Sequence, residues 1–395
     1  ERVRRGEEVL RDPLGSRVGS DPQQEGGDGR RRPHKRDTHG QPMLSKPSAA
    51  VNVGVGPAGS RGPLVSVLLP ARNASATVDE AVRSIRRQTL TDWELVVVDD
   101  GSTDRTVELL ARHAAEDARV RVVRMEGAGM VAALEVARGH ARAPLLARMD
   151  ADDRSAPGRL EAQLSFLADH PEVALCGAHV RYFPGRAVRA GARRYEAWLN
   201  SLRCSEDLVR DLWIECPLAH PSFVIRADAL ERVGGYRDPG WPEDYDLVLR
   251  LWRAGGGLGV VPETLFSWRE GDGRLSRTDP AYAPDAFRRC KVHHLVEAFP
   301  GVVEGALIWG AGPVGKALAK ELVGRGVELS AFAEVDPRKI GQRIYDVPVL
   351  DTAQALAERS VLHLGAVGQK GAREQLRRLM REGGLEELKS FVLMA

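Results

Sequence analysis

A cluster of carboxylates follows one of the most apolar stretches of the chain. Asp150, Asp152 and Asp153 come directly after residues 144–149, which read as a buried strand. Carboxylates two residues apart on a loop can place one oxygen on a hard divalent cation and another on a ribose or a water, while the cation bridges phosphate oxygens. The tetrapeptide therefore predicts a nucleotide-diphosphate site. The alternative is an acidic turn that caps the next helix.

A second acidic turn, residues 99–104, follows another apolar strand. Its Gly101 permits a tight turn, and Ser102 and Asp104 are suited to cap or charge the start of a helix. Capping does not require two adjacent acids before the glycine. We therefore expect Asp99 to face a base or a ribose.

Both turns occupy the same position in an alternating pattern of strands and helices. Apolar strands over residues 64–69, 93–98, 120–124 and 144–149 alternate with amphipathic helices, which is typical of a parallel sheet. Such sheets bind ligands at the carboxyl ends of their strands, so we expect Asn73, Asp99 and Asp150 at one edge. The helix after the second turn is expected to have its cap at Ser102 or Thr103 and to bury Val107, Leu110, Ala111 and Ala114.

A glycine-rich turn opens a further α/β segment near residue 305. Gly310, Gly312 and Gly315 follow an apolar run and precede a helix, and Glu334 and Asp336 end the next strand about 20 residues later. This order matches a dinucleotide fingerprint, in which the backbone approaches a diphosphate and the acid contacts a ribose. It predicts a site for NAD or a similar nucleotide at the three glycines and Asp336. Binding without redox chemistry, or no ligand at all, stays open.

The composition is that of an ordinary globular chain. The 395 residues are 43% hydrophobic and 28% charged, and 57 basic residues nearly balance 55 acidic ones. A net charge of +2 provides no broad cationic field, which argues against nucleic acid as a partner. The four cysteines have no metal-binding or redox spacing, and no apolar run reaches the ~18 residues of a membrane span. We expect a cytoplasmic protein, at most peripheral to the inner face of a membrane.

The motifs around the two acidic turns resemble the family 2 glycosyltransferases. The resemblance is continuous over residues 64–153 and extends more loosely through residues 220–222 and 234–236 to residues 243–247. It implies an A-type glycosyltransferase fold, in which helices flank a mainly parallel, Rossmann-like α/β sheet. It also implies a nucleotide diphosphate sugar as donor, Mn or Mg as cofactor, a saccharide or lipid-linked acceptor, and inversion at the anomeric carbon.

The resemblance also assigns roles by position in these motifs. The donor nucleotide would contact Pro70, Ala71, Asn73, Asp99 and Asp150. Asp152 would bind the metal, and Asp244, beside Glu243, would be the catalytic base. An inverting displacement needs such a carboxylate opposite the leaving diphosphate, to take the proton of the acceptor hydroxyl. The alternative for the Glu243-Asp244 pair is two acids favoured by the dipole at a helix N-terminus.

Two positions depart from the family pattern. Family members commonly have Tyr where Arg72 stands, and they have a His, often a metal ligand, in the segment that matches residues 268–277. This chain has Gly271 at that place. Either water completes the metal coordination, or Asp272 substitutes for the His, or the metal is held weakly.

We predict four segments: a disordered leader (1–62) without apolar periodicity, a glycosyltransferase catalytic domain (63–285), a linker helix (286–304) and a small Rossmann-like domain (305–395). Residues 335–341 of the last resemble the nucleotide-binding-like domains of sugar acyltransferases. The predicted function is sugar transfer in cell-surface polysaccharide or glycoconjugate biosynthesis. The alternatives are a regulatory protein that binds a sugar nucleotide or NAD beside an inactive transferase domain, and a nucleotidyltransferase. A nucleotidyltransferase would need a Gly-rich basic loop in place of residues 70–73.

Overall fold

Two β-sheets with flanking helices make up the described part of the chain. The structure is a computed structural model, and it describes residues 62–271, 273–369 and 371–395. The predicted leader, up to residue 61, and Asp272 lie outside the described residues. The bounds of the four predicted segments stay predictions.

The first sheet has eight strands in the order β3-β2-β1-β4-β7-β6-β8-β5. In chain order these are β1 (Val65–Ala71), β2 (Trp93–Asp100), β3 (Val120–Met125), β4 (Leu145–Arg148), β5 (Arg154–Ser155), β6 (Val173–Phe183), β7 (Val224–Arg226) and β8 (Gly257–Arg269). Strands β1 to β4 run parallel, as the alternating pattern predicts. Strand β7 runs antiparallel to β4 and β6.

The second sheet has six strands in the order β11-β12-β10-β9-β13-β14. They are β9 (Ala306–Trp309), β10 (Leu329–Ala333), β11 (Arg343–Ile344), β12 (Val347–Leu350), β13 (Leu362–Gly365) and β14 (Phe391–Leu393). All except β11 pair in parallel. Counted along the chain, these parallel strands lie in the order 3-2-1-4-5, which is the order of doubly wound α/β sheets.

Thirteen α-helices connect and cover the strands among the described residues. They are α1 (Val78–Arg86), α2 (Thr106–Glu116), α3 (Met130–His140), α4 (Arg159–Asp169), α5 (Ala190–Leu199), α6 (Ser205–Asp211), α7 (Ala227–Arg232), α8 (Glu243–Arg253), α9 (Leu275–Thr278), α10 (Pro284–Ala298), α11 (Pro313–Val323), α12 (Thr352–Ala357) and α13 (Ala372–Glu382). In this part of the chain, none of them combines the length and the apolar character needed to cross a membrane.

Strand β2 shows why the first sheet is buried on both faces. Leu95 and Val97 enter one hydrophobic core, while Val96 and Val98 enter another on the opposite face. Side chains alternate between the faces of a strand, so a continuous apolar run is stable only where helices cover both faces. This burial fixes the register that brings the polar ends of β1, β2 and β4 together.

The predicted cap of α2 is wrong, and its buried face is predicted in part: Leu110 is buried, and Val107 and Ala114 are half-buried. The helix begins at Thr106 and buries Thr106, Leu110 and His113, whereas Ala111 is exposed. Ser102 and Thr103 do not cap it, because Asn73 engages both: its amide donates to Ser102 Oγ, and the Thr103 amide donates to Asn73 Oδ1, each at 2.9 Å. The contact joins loops 30 residues apart. Asp104 lies just before the N-cap residue, Arg105, and its Oδ1 accepts from the Thr106 amide at 3.0 Å.

Candidate active site

Parallel pairing brings the ends of three strands to one edge of the first sheet. Ala71, the last residue of β1, pairs with Asp99 of β2, and Leu68 of β1 pairs with Arg148, the last residue of β4. Asp150 follows β4 by two residues and therefore lies at the same edge. Pro70 pairs with Val98 one step before this edge.

Asp99 is a fully buried carboxylate with unused hydrogen-bonding capacity. Of the described residues, none donates a hydrogen bond to either carboxylate oxygen. The nearest cation is the Arg124 Nε, at 3.7 Å. A buried polar group without a partner costs about 1–3 kcal/mol, so this carboxylate is suited to accept hydrogen bonds from a ligand.

The loops around this edge are held by side chains of the same motifs. Asn73 has a left-handed backbone (φ 50) and contacts residues 102–103 as described above. Asp100 accepts hydrogen bonds from the amides of Ala128 (2.7 Å) and Gly129 (3.0 Å), which fixes the turn before α3. Arg72, where the family commonly has Tyr, lies 3.7 Å from Asp100. Asn73 and Asp100 therefore shape the loops around Asp99.

One cavity of about 480 Å³ connects the aspartates that follow β4 with the acidic pair at the start of α8. Asp150 and Asp152 line it, and so do Glu243 and Asp244, which the chain places some 90 residues later. Pro70, Ala71, Asn73 and Asp99 are not part of its lining; they lie at the strand ends of β1 and β2. The structure thus brings together the residues predicted for the metal, the ribose and the base.

Three carboxylates after β4 form a compact oxygen cluster. Ligand oxygens of Asp150, Asp152 and Asp153 lie within 4.8 Å of one another. Burial and the charge of Asp150 raise the pKa of the Asp152 carboxyl to about 6, and the same two causes raise the pKa of Asp153 well above its ordinary value. Asp150 is also ion-paired with the buried Arg148. A divalent cation would relieve the repulsion, and carboxylate oxygens suit Mg²⁺ or Mn²⁺. The cluster therefore fits the implied metal.

Arg269 fastens this acidic loop from the end of β8. Its amide donates to Asp153 Oδ1 (2.6 Å), its Nε to the Asp152 carbonyl (2.5 Å) and its Nη2 to Glu80 (2.6 Å). Arg274 and Arg277 line the cavity nearby and are ion-paired with the buried Glu270. Residues 268–277, which lack the family His, thus hold the aspartate loop in place through the contacts of Arg269.

Glu243 and Asp244 begin helix α8, where the positive end of the helix dipole favours acids. The Tyr282 hydroxyl donates to Glu243 Oε2, and His220 Nδ1 lies 3.1 Å from Oε1. Burial raises the pKa of Glu243, but the His220 and Tyr282 contacts outweigh it, and the pKa is lowered overall. Burial, followed by the charge of Glu243, raises the pKa of Asp244 well above its ordinary value. The pair therefore combines a stable carboxylate with a carboxyl that readily holds a proton.

Helix α8 is anchored behind this pair by a buried ion-pair network. Asp246 accepts hydrogen bonds from Arg250 Nε (2.6 Å) and Trp241 Nε1 (3.1 Å), and it lies 3.0 Å from His294 Nε2 of α10. Although burial opposes it, these partners lower the pKa of Asp246 to about 2. The network fixes the start of α8, and the sequence signal for it was only an Asp and an Arg four residues apart.

We expect Asp246→Asn to destabilise the fold by about 3–5 kcal/mol, because it leaves the buried Arg250 without its counter-charge. The unfolding midpoint in urea measures the loss. Asp228→Asn is the matched control, since its pair with Arg232 has the same spacing but is exposed, and it should cost about 0.5 kcal/mol or less. The contribution of Asp246 to the free energy of unfolding should be complete above about pH 4 and should be lost as the pH falls toward 2. Equal losses for the two variants would contradict a structural role of the network.

The glycine-rich turn lies between β9 and α11 in the second sheet. A side chain at Gly310 would meet the Ala366 carbonyl at 2.8 Å, and one at Gly315 would meet the Gly310 carbonyl at 1.7 Å, so tight packing explains both glycines. A side chain at Gly312 would meet nothing within 4 Å. Glu334, directly after β10, accepts from the Ala311 amide at 3.3 Å and is ion-paired with Lys339 at 2.6 Å, and Asp336 is paired with Arg338.

Comparison with known proteins finds similarity to glycosyltransferases. The family model for glycosyl transferase family 2 matches residues 66–234. The putative glycosyltransferase EpsE of Bacillus subtilis is 31% identical over 229 residues, which are 57% of this chain and 79% of EpsE. The amylovoran biosynthesis glycosyltransferase AmsE of Erwinia amylovora is 29% identical over 54% of this chain and 79% of AmsE. A crystal structure of S. aureus TarS in complex with UDP-GlcNAc aligns with a TM-score of 0.46 and 18% identity, over 60% of this chain and 66% of that chain.

The family match covers β1 to β7, and the relative EpsE is aligned over most of its own length. The strands that carry Asp99, Asp150 and Asp152 therefore lie in the matched region. On both findings, the chain belongs to glycosyl transferase family 2.

Proposed function

We propose that this chain is an inverting, metal-dependent glycosyltransferase that moves a sugar from a nucleotide diphosphate sugar to an acceptor hydroxyl. The observation that carries the proposal is the single cavity that holds both Asp152 and the Glu243-Asp244 pair. A transferase needs these two groups of acids on opposite sides of one reacting carbon. The name of AmsE supports polysaccharide biosynthesis as the pathway.

The proposed roles follow from the environment of each carboxylate. Asp99 has unused acceptor capacity for the N–H groups of a base, and Asp150, which lines the cavity, would contact the ribose. Asp152, with Asp150 and Asp153 close by, would hold the divalent cation, which would neutralise charge on the leaving diphosphate. Asp244 in its ionised form takes the proton of the acceptor hydroxyl, and its raised pKa suits it to keep that proton.

A panel of nucleotide sugars tests this function. The purified chain is incubated with UDP-, GDP- and dTDP-sugars and Mn²⁺, and mass spectrometry follows the release of nucleoside diphosphate. At least one donor should be cleaved by the wild-type chain and not by Asp244→Asn. Cleavage that releases pyrophosphate would instead indicate a nucleotidyltransferase, and binding without cleavage would indicate the regulatory protein.

A second nucleotide site at the glycine-rich turn is also proposed. Gly310 and Gly315 are required by packing, but nothing in the described structure requires a glycine at Gly312. The open space in front of its Cα suits close approach of a ligand diphosphate at the start of α11. Against this, Pro313 removes one amide donor from the turn. The rival is a folded module without a ligand that docks the first domain or a partner chain.

We expect NAD or a related nucleotide to raise the melting temperature of the full chain by a few degrees at saturating concentration. Gly312→Val should abolish the shift and lower stability by only about 1 kcal/mol, because the site has room and an extended backbone, although Gly is preferred over Val at this helix N-cap. Gly301→Val, at another open glycine, is the matched control and should keep the shift. If NAD, NADP and nucleoside diphosphates at millimolar concentration do not raise the melting temperature of the wild type, the nucleotide site is rejected and the docking role remains.

A further inference from the structure

The cavity has a second wall that the proposed donor and base do not use. Glu215 and Cys216 line it from the segment before the short 3-10 helix His220–Ser222, Tyr195 lines it from α5, and Trp268 from the end of β8. The same cavity contains Asp244. A group bound at this wall would therefore lie beside the proposed base.

Glu215 is a carboxyl group with acceptor capacity left for a ligand. Among the described residues its side chain accepts one hydrogen bond, from the adjacent Cys216 amide at 3.3 Å. The nearby Lys291 ammonium is used by two backbone carbonyls, Ile214 (3.0 Å) and Met394 (2.7 Å). Burial raises the pKa of Glu215, and its charge in turn acts on Asp244. The charge of Lys291 opposes that rise, so Glu215 has a cationic neighbour, lies close to the base and keeps acceptor capacity for a ligand.

Aromatic side chains make up most of the remaining wall. Trp268 stacks on Tyr182 with ring centroids 5.0 Å apart and lies 6.4 Å from the ring of Tyr195. The Tyr195 hydroxyl donates to the Cys216 carbonyl at 3.2 Å, which ties this aromatic group to the Glu215 segment. Aromatic surface beside a carboxylate suits a sugar ring, which offers apolar C–H groups and hydroxyl donors together.

The charges of this wall suit an uncharged ligand. Glu215, Glu243 and Asp244 lie on this side of the cavity, and Arg274 and Arg277, which line it nearby, share the carboxylate of Glu270. The charge of Lys291 acts on Glu215, and Arg274 lies 4.3 Å over the Trp268 ring. The wall thus already holds charges of both signs, and an uncharged ring adds no charge that would need a partner.

We propose that Glu215, Tyr195 and Trp268 form the acceptor subsite, and that the acceptor presents an uncharged sugar ring there. Hydroxyl groups of the ring donate to Glu215 while its apolar face packs on the aromatic wall. The reacting hydroxyl then lies next to Asp244. This inference rests on the proposed glycosyltransferase function and specifies the substrate class of the same site.

Binding of matched glycosides tests the subsite separately from activity. The probes are p-nitrophenyl glucoside, galactoside, mannoside and N-acetylglucosaminide, and the matched anion p-nitrophenyl glucuronide, each titrated by saturation-transfer NMR in the presence of UDP and Mn²⁺. At least one neutral glycoside should bind the wild type more tightly than the glucuronide. Glu215→Gln should weaken it roughly tenfold or more, since a hydrogen bond to a charged group is lost. Trp268→Ala should weaken it too, and Trp268→Phe less.

Glu263→Gln, an exposed position on β8, controls for the Glu-to-Gln exchange and should leave binding unchanged. Unchanged melting temperatures show that the variants fold. The subsite is rejected if no neutral glycoside binds, if the glucuronide binds as tightly, or if Glu215→Gln binds like the wild type. Release of nucleoside diphosphate is measured in parallel. If donor is cleaved but these affinity differences are absent, the subsite is rejected and the transferase function stands. If the affinity differences are present but no donor is cleaved, the transferase function is rejected and the subsite stands.

Discussion

Asp244→Asn is expected to lower turnover about 100-fold or more while donor binding is retained, because a positioned general base contributes 10²–10⁴-fold. The asparagine keeps the size of the side chain but cannot take the proton of the acceptor hydroxyl. Initial rates with a cleaved donor measure the loss, and calorimetry with the nucleoside diphosphate measures binding. The pH–rate profile of the wild type should have an acidic arm, because the raised pKa of Asp244 means that the carboxyl becomes protonated and inactive as the pH falls.

Glu243→Gln is the informative companion to this variant. Glu243 keeps contacts to His220 and Tyr282 and a lowered pKa, so it is suited to hold charge and orientation and not to take protons. We expect a smaller loss of turnover, with the acidic arm of the pH profile preserved. If Glu243→Gln is inactive and Asp244→Asn remains active, the base is Glu243 and the assignment moves by one residue.

Asp152→Ala should lower activity by orders of magnitude and weaken binding of Mn²⁺. The residue lies in a cluster of three carboxylates whose mutual repulsion a divalent cation relieves, and hard cations require such oxygen ligands. Calorimetric titration of Mn²⁺ into the chain with UDP gives the affinity. A chelator should abolish wild-type activity, and added Mn²⁺ or Mg²⁺ should restore it.

Asp169→Ala, at the exposed end of α4, is the control for loss of one negative charge. It should keep both metal affinity and turnover. Full activity of Asp152→Ala in the presence of chelator would reject the metal role of the cluster.

The part of the fold that the sequence predicts best is the part governed by local burial. The strands β1, β2 and β4 are mainly apolar, and their ends are marked by Asp and Asn, so their polar ends could be placed at one sheet edge from the pattern alone. The start of α2 could not be predicted in this way. Asn73, in a distant loop, binds Ser102 and Thr103, and a tertiary contact of that kind has no local signature.

The residues that the sequence missed act through long-range contacts. Glu215 lies in an irregular segment and Tyr282 ends a short 3-10 helix, and only the fold places them beside Asp244 and Glu243. Arg148 reads as an interruption of an apolar strand, yet it is a buried cation paired with Asp150. A charged residue at the end of a buried strand is the one signal that could have identified it, because such a charge needs a partner.

The measurement that tests the central claim most directly is proton NMR of the reaction mixture from the start of turnover. UDP-glucose, or whichever α-linked donor is cleaved, is followed together with a neutral p-nitrophenyl glycoside as acceptor. The account predicts a β-linked product whose formation matches the release of nucleoside diphosphate, with neither signal in Asp244→Asn. A product that keeps the α configuration would contradict a single displacement at this cavity.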